Sequence, residues 1–94
     1  MQITIDRIIK NLKNHLNEDA SLRVEDESHL HYGHKESDPS KGVTHISIVL
    51  VWHGFNGMKI IERQRIINNW LSEFFKEGLH AVTYILKTPS EALS

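Results

Sequence analysis

From Thr44 to Trp52 the chain reads Thr-His-Ile-Ser-Ile-Val-Leu-Val-Trp. β-Branched residues dominate this run, and their stiff χ1 angles suit a pleated strand. Apolar groups occupy both faces of its second half, as in the central strand of a sheet. Two other segments alternate in the same way. Leu22 and Val24 are interleaved with charged residues between Ala20 and Asp26, and the stretch from His80 to Leu86 alternates again. Both read as half-buried strands.

The helices are legible from a different period. Ile5, Ile8, Ile9, Leu12 and Leu16 fall on one helix face, with Asp6 suited to the first turn. After the turn His53-Gly54-Phe55-Asn56-Gly57, a helix is predicted from about Lys59 to Lys76. Its apolar face is Ile60, Ile67, Leu71 and Phe74, flanked by Ile61, Ile66, Trp70 and Phe75, and Gly78 is a natural stop. Thr88-Pro89-Ser90-Glu91 has the N-cap, first-position proline and capping-box acid of a short last helix. Between Glu27 and Gly42 the chain turns polar, which predicts a long loop, the most mobile part of the domain.

The order is αββαβα. The helix between the second and third strands makes a right-handed βαβ unit with parallel strands, and the first two strands pair antiparallel. The simplest closure is one α/β (α+β) domain over residues 1–94, a three-stranded mixed sheet covered on one face by helices. Trp70 is expected to be mostly buried in it. Trp52, at the end of the middle strand, is expected to be more exposed and its loss milder.

Composition narrows the chemistry. With 11 basic and 12 acidic residues the net charge is −1, which gives no case for bulk attraction to nucleic acid or lipid. Cysteine is absent, so this chain has no disulfide, thiolate ligand or cysteine nucleophile of its own. No Ser-His-Asp order, P-loop or HExxH pattern is present, so the chain reads as a non-enzyme without a small-molecule substrate. The N-terminus lacks an apolar signal core, and the longest apolar run, Ile48 to Trp52, is far short of the roughly 20 residues that span a bilayer. The expectation is a soluble cytoplasmic protein, or one of an organelle matrix if a presequence was trimmed, with no membrane partner. Histidine is the unusual residue, at His15, His29, His31, His34, His45, His53 and His80. A strand histidine such as His80 often bonds a backbone carbonyl, but a neutral imidazole is equally a ligand for borderline iron. His45 reads as bonding its neighbouring backbone. His15, His29 and His53 read as surface residues, and no local spacing supports a zinc site from His31, His34 and His80.

Several short motifs occur together in order. They are Asp26-Glu27-Ser28 followed by His31 and Gly33-His34, Thr44-His45, Phe55-Asn56-Gly57, Arg63-Gln64-Arg65, Leu79-His80-Ala81, and Thr88-Pro89 with Glu91. In this arrangement the sequence resembles the BolA family from about Ile5 to Glu91. Gln64 departs from the histidine that the family usually carries between the two arginines.

The resemblance implies a class II K-homology-like (KH-like) fold. It also implies a monothiol glutaredoxin as partner, with a bridging 2Fe–2S cluster. The partner's thiolate and glutathione ligate one side and two histidines of this chain the other. The matching ligand is His80, and the second comes from the loop, as His31 or His34. Iron–sulfur trafficking, iron-status regulation or stress response is the implied setting, and some relatives act on transcription. The alternative reading is therefore a KH-like nucleic-acid-binding regulator. Gly54-Phe55-Asn56-Gly57 resembles a GxxG loop, and Lys59, Arg63 and Arg65 place positive charge beside it. The same arginines could instead meet a glutaredoxin or its glutathione. A tight turn with Phe55 in the core is the structural alternative for the GxxG-like segment.

Overall fold

The first helix, α1 (Ile5–Lys13), begins where the Thr4 hydroxyl accepts the Arg7 N–H at 3.2 Å. It buries Ile8 and Leu12 completely and ends before Leu16, which still packs against the core. The computed structural model describes residues 2–28 and 42–94. The expected long loop from Glu27 to Gly42 lies almost wholly outside the described residues, and His29, His31 and His34 lie outside them too.

Three strands follow the predicted pairing. β1 (Ser21–Asp26) runs antiparallel to β2 (His45–Val51), and β2 runs parallel to β3 (Ala81–Lys87), with β2 in the centre. The register places Leu22, Leu50 and Leu86 in one row and Val24, Ile48 and Tyr84 in the next. Because successive side chains point to opposite faces, these rows share the face that packs against the helices. The intervening row, Arg23–Val49–Ile85, lies on the other face, where Ile85 is exposed.

After a 3-10 turn at His53–Phe55 the crossover is not one helix but two. α2 (Ile60–Trp70) and α3 (Ser72–Glu77) are separated by Leu71, whose φ of −93° and ψ of 7° leave the helical region. Leu71 is fully buried, so the break lies over the core and both Ile67 and Phe74 reach inward. The expected apolar face is also corrected at its start. Ile60 is 55% exposed, and the inward position one turn later is taken by Arg63, only 5% exposed. The last helix, α4 (Pro89–Ala92), has the predicted capping box: Thr88 N–H donates to Glu91 Oε1 at 2.8 Å, and Glu91 N–H to Thr88 Oγ1 at 3.2 Å.

Candidate functional site

His80 stands where α3 hands over to β3. Gly78 adopts a φ of 130°, a left-handed value that favours glycine, and turns the chain out of α3. Leu79 then plugs into the core, leaving His80 exposed one residue before β3. The His80 N–H donates to Thr44 O at 2.7 Å, so its backbone is fixed even though its side chain is open.

Beside it is the start of β2. The His45 ring is buried, with its centroid 5.4 Å from that of His80 and the planes tilted by 47°. His45 Nδ1 lies 2.9 Å from Thr44 Oγ1, so a neighbouring hydroxyl shares a proton with this ring nitrogen. The backbone here is organised by Ser28, which is 1% exposed. Its own N–H donates to Asp26 Oδ1 at 2.9 Å, an Asx turn that ends β1. Its Oγ accepts the N–H groups of Thr44 and His45 at 2.9 and 3.2 Å, while Glu27 N–H donates to His45 O at 2.8 Å.

Sequence reasoning gave Ser28 and Thr44 no role. The signal was present in Asp26-Glu27-Ser28, whose spacing is that of an Asx turn, but its partner lies across the sheet. Glu77, three residues before His80, is committed elsewhere. Its carboxylate accepts from both terminal guanidinium nitrogens of Arg7, at 3.1 and 3.0 Å, and that pairing holds it below the usual carboxylate range.

The residues predicted to bind nucleic acid or a partner lie at the far end of the sheet. His45 opens β2 and Val51 closes it, and seven strand residues span roughly 20 Å. The 53–57 turn and the start of α2 follow Val51, so Gly54, Gly57 and Lys59 are not brought together with His80. Gly57 is exposed with a φ of 81°, and Lys59 and Arg65 are exposed. Gly54 is instead a packing position: a Cβ there would fall 2.4 Å from the Trp52 ring. Phe55 is fully buried, as a tight structural turn requires.

Arg63 corrects the reading of a surface cation. Its Nε donates to Met58 O at 3.1 Å and Nη1 to Leu86 O at 3.0 Å. The two terminal nitrogens also meet Glu91 at 2.6 and 3.2 Å. The guanidinium joins α2, β3 and α4 from inside and is unavailable to an external phosphate or carboxylate.

Among the described residues no three His, Cys, Asp or Glu side chains converge as a metal site. What the described fold offers is an exposed imidazole, His80, on a rigid backbone with a second imidazole behind it. That donor set fits a shared group that draws its remaining ligands from elsewhere. No helix among the described residues is long and apolar enough to cross a membrane.

A family model of BolA-like proteins matches residues 12–91. Over 78 residues the chain is 37% identical to the chloroplast protein BOLA1 of Arabidopsis thaliana, covering 82% of this chain and 49% of that one. It therefore spans about half the length of that curated relative. The solved structure of Arabidopsis BolA1 superposes with a TM-score of 0.79 at 34% identity, over 97% of each chain. The BolA domain of Arabidopsis SufE1 does so with a TM-score of 0.78, also at 34% identity and over 92% of each. A protein named DNA-binding transcriptional regulator BolA, from Haemophilus influenzae, is 30% identical over 90 residues, 96% of this chain and 78% of that one.

Proposed function

The chain belongs to the family of BolA-like proteins, and on that premise we propose that it is a non-enzymatic partner of a monothiol glutaredoxin. In this reading His80 and a loop histidine, His31 or His34, ligate one side of a bridging 2Fe–2S cluster in iron–sulfur trafficking or iron-status regulation. The partner's thiolate and glutathione ligate the other. The observation that carries the reading is the placement of His80: an exposed imidazole whose backbone is tied to Thr44 and whose ring lies beside His45. Such a group can meet a partner's surface without reorganising the fold. When bound, the cluster supplies redox chemistry whose potential is raised by imidazole in place of thiolate. The chain's own contribution is to present an imidazole nitrogen at a fixed position and to leave the partner's side open. The BolA domain of SufE1 is similar in structure at 34% identity, which supports the family premise of this reading.

Anaerobic mixing of the chain with a monothiol glutaredoxin, glutathione, iron and sulfide tests this. We expect a heterodimer whose visible absorption and circular dichroism differ from those of the glutaredoxin alone. His80→Ala should abolish that spectrum while the apo protein keeps its thermal midpoint to within a few degrees. His31→Ala and His34→Ala, compared side by side, identify the second ligand. A spectrum that is unchanged when wild-type chain is added defeats the reading.

A second reading rests on the exposed Lys59 and Arg65 near Gly57 and on the similarity to the Haemophilus regulator. Binding to DNA through that end of the sheet would show a log–log salt slope of roughly −0.9 per phosphate contacted. Lys59→Glu with Arg65→Glu should remove a gel shift at physiological salt, while His80→Ala should leave it intact. Arg63 is not a useful probe because its loss disturbs the fold.

A further inference from the structure

The peptide unit between Thr44 and His45 is held from both sides. Its N–H, that of His45, donates to Ser28 Oγ at 3.2 Å. Its C=O, that of Thr44, accepts the His80 N–H at 2.7 Å and the Ala81 N–H at 3.3 Å. A peptide is planar, so its two ends cannot rotate independently. An acceptor placed on the N–H also polarises the C=O and strengthens the bond made there. A second N–H, that of Thr44, donates to the same hydroxyl at 2.9 Å. Ser28 thus takes the place that a β1 backbone carbonyl would hold beyond the end of the strand, and does so while almost fully buried.

We propose that the Ser28 hydroxyl is a positioning residue for His80, acting through the Thr44–His45 peptide plane. This rests on the reading of His80 as a ligand. No hydrogen bond links Ser28 to His80 directly, yet Ser28 sets the orientation of the carbonyl that fixes the His80 backbone. It also fixes the entry of His45, whose ring lies beside that of His80. Without the hydroxyl, the Thr44 and His45 N–H groups lose the acceptor that Ser28 supplies, and the hold on the carbonyl that fixes His80 loosens. Nothing in this chain of contacts involves the middle of the sheet, so the effect is local.

Amide exchange in the apo protein tests the coupling apart from any cluster. In wild type, the Thr44, His45 and His80 amides should open as one unit, with protection factors that respond together to low denaturant. In Ser28→Ala, His80 exchange should rise at least tenfold relative to Ile48, which sits in the centre of β2. Ser28→Thr, which keeps the hydroxyl, should restore most of the protection. If Ser28→Ala does not fold, the wild-type pattern still decides. Independent opening of His80 and His45 overturns the proposal, as does equal acceleration at His80 and Ile48.

The complex with glutaredoxin supplies the second arm. Ser28→Ala should retain a cluster but shift its reduced electron paramagnetic resonance signal and its potential, whereas His80→Ala loses it. An unchanged signal and potential in Ser28→Ala also overturns the proposal. If wild type forms no cluster-bound complex, the ligand reading falls and the positioning role falls with it. The exchange data then still report whether the backbone clamp exists.

Discussion

Arg63→Ala should cost about 1–3 kcal/mol, the range for leaving a buried backbone acceptor without its donor, while the exposed Glu91 carboxylate returns to water. A chain of this size has only about 5–14 kcal/mol in total. Leu86 O, on the side of β3 away from β2, loses the Nη1 donor, and Met58 O loses Nε. The Phe55 ring loses a guanidinium carbon 5.6 Å from its centroid. Arg63→Lys should recover little, because an ammonium cannot donate as a fork to two carbonyls and a carboxylate at once.

The pH dependence follows from the same contact. The Arg63 hydrogen bond, with help from the Thr88 backbone, lowers the Glu91 carboxyl from 4.5 to about 2. A carboxylate depressed by folding stabilises above its ordinary value and ceases to do so as pH falls through its folded value. Denaturant unfolding should therefore separate wild type from Glu91→Gln at pH 7, with the gap closing between about pH 4.5 and pH 2. A loss below about 1 kcal/mol in Arg63→Ala at pH 7 would mean that the inward turn of this side chain contributes only what an exposed pair does.

Trp70→Ala should cost about 3 kcal/mol, the low end of the range for deleting a large core aromatic, because the ring is only half-buried against the core. Its ring is sandwiched: the His15 imidazole stacks on it at 4.4 Å with an interplanar angle of 4°, and Trp52 meets it edge-on at 5.7 Å. Trp52 was expected to be the more exposed and the milder loss. It is half-buried like Trp70, meets Phe55 edge-on at 5.2 Å, and donates its indole N–H to Asn17 Oδ1 at 3.1 Å. Trp52→Ala should therefore be nearly as damaging. Because the rings touch, the double variant should fall short of the summed single losses by about 0.5 kcal/mol or more. Guanidinium unfolding monitored by far-UV circular dichroism would measure this, and strict additivity would show that the two rings pack independently. The stacked His15 also shows why exposure alone is a poor guide: it is a surface residue, as expected, yet it covers a tryptophan packed against the core.

Element order, strand directions and the caps at Thr88 and Gly78 follow from local rules, and they are readable from the chain alone. Alternation marks β1 and β3, β-branching marks β2, and Pro89 with Glu91 marks α4. Each involves residues within a few positions of one another, so hydrophobic period and backbone preference suffice. His80 was likewise recognisable as a candidate from its neighbours Leu79 and Ala81 within the family pattern.

The tertiary structure decided what depends on residues distant in sequence. A helical stripe that starts at Ile60 has no way of showing that Leu86 O and Glu91 draw the next inward position to Arg63. Nor does Asp26-Glu27-Ser28 reveal that the serine hydroxyl caps two amides 16 and 17 residues later, across the first strand pair. The separation of His80 from the glycine-rich turn is also a result of pairing, since β2 runs between them and its register with β3 sets which end each occupies. Periodicity ranks side chains by apolarity. The position of a buried polar group is instead set by the donor or acceptor it must satisfy, and that partner is chosen by the fold.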